Sequence, residues 1–502
     1  MGEKYLYGAS VHGIQNFIFQ TNKLQEITGA SELVEDICTT LFEKVANEKA
    51  NVVGAAGNVR HIFESREKCE AVVRTFPKMV MSKAVGVSIS QSVVVLKEED
   101  SFGKKSEELE LKLRSQRNTP SQSLTQGMLG VKRSNSTGLP VEDVEDQDYF
   151  DRGSYEKKKK SNAIALAKRS FFSSDEKSLA DSLYYHHLPL NVERITKNND
   201  WLAIIHADGN GIGAVVQKVA NEEKEYKAFS TRLAEVTERA ANIAFRAICP
   251  DFDPRNGKEV LPLRPVLLGG DDITLIIRGD LAIPYITTYM EAFEKESEEI
   301  LGDLLEGVFS NGKQYLTACA GVAFIKSSYP FYYGYHLADE LCNAAKKVAK
   351  NPPFRSNDNE IVPSCLMFHK VQDSYVESYD DAVKRELEIA DKKYTLQQGP
   401  YFLRSNDFPN RSIQELIDSV NKLEHTDEGV RSGIRQWLSF LHEDTEKAEQ
   451  RLKQLKRTHN TDEKFQLIEA LTSSVKKTGT DVESFLAYDA LALYTIMNQE
   501  TK

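Results

Sequence analysis

The chain has 502 residues, 40% of them hydrophobic and 28% charged, and a net charge of −11 at neutral pH. That is the composition of a soluble globular protein of about three domains, and it excludes a disordered or fibrous chain as well as a surface that coats nucleic acid indiscriminately. No apolar run reaches the roughly 18–20 residues of a membrane span, and the opening MGEKYLYGAS carries neither a secretory signal nor a myristoylation pattern, so a cytoplasmic protein with no membrane partner is expected.

In chain order, KYLYGASVHGIQNFIF (4–19) reads as a strand turning into a helix and LQEITGASELVEDICTTLFEKVANE (24–48) as a helix. NVVGAAGNVRHIFES (51–65) is a pair of apolar runs about a tight turn, EKCEAVVRTFPKMV (67–80) is helical, and VGVSISQSVVVL (85–96) closes the unit with period-two alternation. Residues 101–165 are polar, with a Ser/Thr/Gln/Asn/Gly-rich centre at 115–138, and predict a long loop. Within it Lys157–Lys160, with Lys168 and Arg169 behind, predicts a solvated positive face.

The same order then returns more strongly. WLAIIHADG (201–209) is an apolar strand ending at an acidic, glycine-rich turn, and 212–248 is helical. RPVLLGGDDITLIIRGD (264–280) reads as a hairpin, 281–305 as a helix, YLTACAGVAFIKS (315–327) as a strand and YHLADELCNAAKKVAK (335–350) as a helix. Beyond 350 a Pro/Asn/Asp-rich connection leads into a charged helical tail from about 380. The expected fold is α+β: two ferredoxin-like palm domains, each with its helices on one face of the sheet, packed together and followed by a C-terminal helical domain. The expected boundaries are 1–100 for a degenerate first palm, 101–195 for an inter-palm insert, 196–355 for the catalytic palm and 356–502 for the mainly helical domain.

The second copy carries the chemistry. Asp208 closes its first strand, and Asp271 and Asp272 sit in the neighbouring hairpin, so three carboxylates converge at one sheet edge. Like charges at short range repel, and a cation site is the natural reason to gather them. Two divalent ions, Mg²⁺ or Mn²⁺, held by such carboxylates are what joining ATP or other nucleoside triphosphates requires, because charge builds on both the attacking and the leaving oxygen. In GNGIG, Gly209, Asn210 and Gly211 offer backbone to a phosphate at a helix start. Lys346, ahead of Lys347 and Lys350, is placed to reach a triphosphate. His206 reads as structural. Six scattered cysteines without a CxxC pair read as reduced, buried thiols. The matching turn of the first copy, Ala55-Ala56-Gly57-Asn58, has no carboxylate, which makes that copy a catalytically empty partner.

At these residues the chain resembles the large, polymerase-like subunit of type III CRISPR effector complexes, a relative of the GGDEF cyclases. VHGIQNFIF with LQEITGASELVEDI, the GAAGN turn, RSNSTGLPV (133–141), HADGNGIG, LLGGDD and YTLQQGPYFL (394–403) follow that family's order. The resemblance implies a synthase of cyclic oligonucleotide second messengers in antiviral defence, usually made from ATP, with nucleotides seated between the palms. It implies that Gly269 and Gly270 let a nucleotide approach, that Ser31 and, more weakly, Asn58 touch nucleotide from the first palm, and that guide RNA and effector subunits meet the C-terminal helices. No HD dipeptide is present, so DNA cleavage by the nuclease domain often fused to this subunit is not expected, and 97–200 has no cysteine for a zinc module. Two other readings stay open: a non-catalytic scaffold subunit, and a GGDEF-like cyclic dinucleotide synthase.

Overall fold

The computed structural model describes residues 3–498 except 56, 98, 119–129, 146, 197–200, 220–221, 257–258, 373–377, 390–392, 405–410, 460 and 477–480. Ala56 of the first hairpin and 119–129 of the polar stretch therefore lie outside the described residues. The chain opens with β1 (Lys4–His12), α1 (Ile14–Phe19), α2 (Leu24–Asp36), a π turn, α3 (Phe42–Ala46), β2 (Val53–Ala55), β3 (Asn58–Phe63), α4 (Arg66–Lys83) and β4 (Ser88–Leu96). Its sheet runs β2-β3-β1-β4, with β1 antiparallel to both β3 and β4. Placing the first and last strands beside each other in this way is the ferredoxin-like arrangement that the element order predicts.

The polar stretch after β4 is more ordered than its composition suggests. Helix α5 (Phe102–Arg117) buries Phe102, Leu109 and Leu113 against β1 and β4. A hairpin, β5 (Val141–Glu145) with β6 (Asp148–Asp151), leads into α6 (Arg152–Lys160). The lysine run is not a solvated face throughout: Lys157 is buried and donates to Phe17 O at 2.7 Å, and Lys160 is ion-paired with Asp36. Three apolar residues on one face are enough to seat the charged helix α5, and the buried Lys157 ammonium is satisfied by the carbonyl it caps.

Short helices α7 (Ala165–Phe171), α8 (Ser174–Lys177) and α9 (Val192–Thr196) bridge to the second unit. That unit contains β7 (Trp201–Asn210), α10 (Ile212–Val219), α11 (Glu223–Ile248), β8 (Leu263–Gly269), β9 (Asp272–Arg278), α12 (Ala282–Leu305), β10 (Thr317–Lys326) and α13 (Phe331–Ala349). The order β8-β9-β7-β10 repeats that of the first sheet. Past residue 355 the sheet continues: β11 (Cys365–Lys370) pairs parallel to β10, and after α14 (Tyr379–Ala382), β12 (Glu388–Ile389) and β13 (Tyr394–Thr395), the short β14 (Tyr401–Phe402) forms its edge.

Strand alternation divides this six-stranded sheet into two buried faces. Ala203, Ile205 and Ala207 of β7 meet one core with α11 and α12, while Leu202 and Ile204 meet another with α13 and the first unit. Helices thus cover both faces, not one as expected: α13 lies across β7, β10 and β11 opposite α11 and α12, and the first unit's α1 and α2 meet α13 and β8 there. Phe19 stacks on Tyr335 at 4.6 Å, and Phe331 N donates to Asn22 Oδ1 at 3.1 Å. The tail forms α15 (Ile413–Glu424), α16 (Glu428–Glu443), α17 (Thr445–Thr458), α18 (Asp462–Thr472), two short strands β15 (Val475–Lys476) and β16 (Glu483–Ser484), and α19 (Leu486–Met497). These helices share the α11/α12 core, and the buried Asp489 of α19 accepts from Tyr401 Oη and from Gln398 N at 2.9 Å.

Candidate active site

Strand β7 is apolar on both sides until its last turn, where Asp208 follows Leu202, Ile204 and His206 on the face toward the first unit. Asp272 begins β9 and stands on that same face, two residues before Thr274, while Asp271 occupies the turn. Gly270 adopts φ +62°, a conformation in which any other residue is strained, and this lets β8 reverse directly into β9. The three carboxylates each offer an oxygen within 4.8 Å of the others. Gly209 makes the convergence sterically possible, since a Cβ there would lie 2.7 Å from Asp271 Cβ.

Electrostatics divides the three. Burial works to raise the Asp208 carboxyl, but hydrogen bonds from Asp272 and Lys346 and the Lys346 charge prevail and hold it below its usual value. Burial, then the Asp208 charge, pushes Asp271 up to about 6. Burial and the Asp271 charge raise Asp272 well above the usual carboxylate range. Without a cation the cluster therefore holds protons more tightly than isolated aspartates do, as crowded carboxylates must. Lys346 is ion-paired with Asp208 and donates to Gly209 O at 3.1 Å. The Asp208 side chain keeps 32% of its surface, so solvent and small solutes reach the cluster. An all-oxygen donor set of three crowded carboxylates, balanced here by a single ammonium, fits a hard divalent ion such as Mg²⁺ or Mn²⁺.

The other candidates from the sequence fall into two groups. Asn210 is buried beside the cluster, with Nδ2 3.2 Å from Thr317 Oγ1 and 3.3 Å from Cys319 Sγ. Gly211 takes φ +86° and faces Phe309, and Gly269 pairs with Asp272 across the hairpin. These, with Gly209, Gly270 and Lys346, are gathered around the carboxylates. Ser31 and Asn58 stand on the first unit. Ser31 is 4% exposed and donates to Ile27 O within α2, while Asn58 is exposed and accepts from Ser10 Oγ at 2.9 Å. His206 is buried, 3.0 Å from Thr274 Oγ1 and 3.5 Å from Asp339 Oδ1, and burial lowers its pKa, so it braces β9 and α13 as a neutral ring.

Sequence reasoning missed Thr237. Its hydroxyl, on α11, lies 2.7 Å from Gly270 O and ties the hairpin turn to the helix behind it. A threonine inside a helical pattern carries no signal of such a contact, which only the packing of α11 under the sheet creates.

With this geometry in place, residues 201–352 match the family model for the second palm domain of Cas10/Cmr2. That stretch is similar to the Cas10/Cmr2 second palm. No curated protein matches the sequence. Among solved structures, the chain is similar to a Csm1–Csm4 cassette in complex with pppApA and to one in complex with cA4, each at TM-score 0.57 and 13% identity over 99% of this chain and 69% of theirs. A cassette in complex with cA3 gives TM-score 0.56 at 12% identity with the same coverage. At that identity the likeness is one of fold, and it extends beyond the palm model to both sheets and the tail.

Proposed function

We propose that the chain is a metal-dependent nucleotidyltransferase that condenses nucleoside triphosphates, ATP first among them, into cyclic oligonucleotides for an antiviral effector system of the CRISPR kind. The observation that carries this reading is the convergence of Asp208, Asp271 and Asp272 beside a backbone turn and a lysine, on the palm face turned toward a first palm whose own hairpin sequence has no carboxylate. The ligands named for the Csm1–Csm4 cassettes, pppApA, cA3 and cA4, support adenosine as the base and a ring as the product.

In this reading the three aspartates hold two divalent ions, which when bound stabilise the attacking and departing oxygens of phosphoryl transfer. The protein's own part is positional. Lys346, released from Asp208, turns its ammonium to the triphosphate. The turn at 209–211 presents backbone that no Cβ obstructs at Gly209. Ser31 and Asn58, on the first palm, would meet the second nucleotide.

The test is incubation of the full chain with labelled ATP, GTP, CTP or UTP and Mn²⁺ or Mg²⁺, beside Asp271→Ala/Asp272→Ala. A phosphatase-resistant product from the parent protein and at least about a hundredfold less from the variant is expected, the scale on which lost transition-state stabilisation appears. No product, together with no metal-dependent nucleotide binding, would overturn the reading in favour of a scaffold subunit. A cyclic dinucleotide from GTP would replace it with the GGDEF-like one.

A further inference from the structure

Directly behind Asp208 on the sheet, two buried thiols face each other. Cys319 of β10 is the register partner of Asp208 on one side and of Cys365 in β11 on the other. The two sulfurs are 3.6 Å apart, and both residues are 0% exposed. Neighbouring strands lie about 4.8 Å apart, inside the roughly 4.4–6.8 Å Cα separation that a disulfide spans. The sulfurs need only close to about 2.05 Å by side-chain rotation. The third thiol of this core, Cys342 on α13, is engaged elsewhere, donating to Cys319 O at 3.2 Å.

The pair lies just behind the wall of a surface cavity. A cavity of about 420 Å³ opens at the starts of β10 and β11, walled in part by Thr317, Pro363 and Ser364. Pro363 O lies 4.0 Å from Cys319 Sγ, and Ser364 immediately precedes Cys365. Thr317 closes the inner end, accepting from Asn210 Nδ2 and donating to Val362 O at 2.5 Å.

We propose that Cys319 and Cys365 are a reversible modification site, a dithiol that hydrogen peroxide converts to a cross-strand disulfide, and that closing it loosens the acidic turn through Asn210. One peroxide takes up two electrons. Both S–H bonds and the O–O bond break, the S–S bond forms, and two waters leave with the two protons. The sulfur drawn toward Cys365 moves off Nδ2 of Asn210, a side chain whose Oδ1 is buried and has no hydrogen-bond partner among the described residues. Asn210 then loses one of the contacts that hold the chain just after Asp208. The second half of the proposal rests on the metal reading of the aspartates, whereas the first does not.

The reduced full chain would be titrated with hydrogen peroxide while circular dichroism shows it folded, then denatured, alkylated and mapped by mass spectrometry. The expected result is loss of two of the six thiols and a Cys319–Cys365 peptide about 2 Da lighter than its reduced pair. Dithiothreitol should restore both thiols, Cys342→Ser should leave the link intact, and Cys365→Ser should abolish it. Oxidation of other cysteines with Cys319 and Cys365 still alkylated would overturn the site. Mn²⁺ binding, followed by thermal shift, should be about tenfold or more weaker in the cross-linked protein, the scale of lost outer support at a metal site. Equal Mn²⁺ response in both forms would overturn the coupling, and no response even in the reduced form would fail the metal reading while leaving the disulfide standing.

Discussion

Asp271 and Asp272 are the residues whose ionisation most affects the folded state. Their folded pKa values lie above the ordinary aspartate value, Asp271 at about 6, so the folded protein binds protons more tightly than the unfolded chain. The associated stability is fully present below about pH 4 and is lost as pH rises through about 6, at most about 3 kcal/mol for a shift of this size. Asp208, lowered by its partners, runs the other way and loses its contribution in acid. In chelator, the parent protein should therefore lose thermal stability between pH 4 and pH 7 relative to Asp271→Asn/Asp272→Asn, and Mn²⁺ should remove the difference in the parent only. Parallel melting curves across that pH range would show the two proteins diverging or not. Gly209 is a second point of leverage. Gly209→Ala places a methyl group against Asp271, and we expect a fold within about 1 kcal/mol of the parent by urea unfolding but a metal response weakened by at least about tenfold. An unchanged metal affinity would show that the turn relaxes around the methyl group at no cost to the site.

At the scale of elements, most of the repeat was legible. The strands ending at Asp208 and framing Gly270 are continuous apolar runs because both faces of their sheet are buried, and such runs stand out in any sequence. Helix α5 was not legible. Its mean composition is polar, and only Phe102, Leu109 and Leu113, spaced for one helical face, mark the side laid on β1 and β4. Leu109 reaches the backbone of β1 where Gly8 leaves room, a Cβ there lying 2.8 Å from Leu109 Cδ2. Leu109→Ala should cost about 3 kcal/mol as a core truncation, measured as a shift in urea midpoint at unchanged slope. A residue in a solvated loop would shift it by less than about 0.5 kcal/mol.

At the scale of the molecule, the two palms are joined through buried charge as well as apolar contact. Arg264 of β8 is 2% exposed and sends Nη2 to Ala163 O at 3.3 Å, and Glu32 of α2, 3% exposed, accepts from Leu166 N at 3.1 Å. Burial raises Glu32 to about 7 against the pull of Arg264. Arg264→Met removes the guanidinium that bonds Ala163 O and whose charge acts on Glu32, and should cost about 1–3 kcal/mol, whereas adding Glu32→Leu should recover part of the loss, since no buried carboxyl is then left without a nearby cation. Denaturant titrations of the two single variants and the double variant would reveal the coupling or its absence.

The sequence by itself determined the repeated strand–helix–hairpin–helix–strand order, the α+β class and the three aspartates, because hydrophobic period and turn chemistry are local properties written in consecutive residues. Only the tertiary structure decided that the first palm covers the open face of the second, that β11 and β14 extend the sheet, that Thr237 holds Gly270, and that Cys319 and Cys365 meet. Each of these joins residues distant in the chain through burial and strand register, and neither burial nor register is encoded at the positions that finally touch.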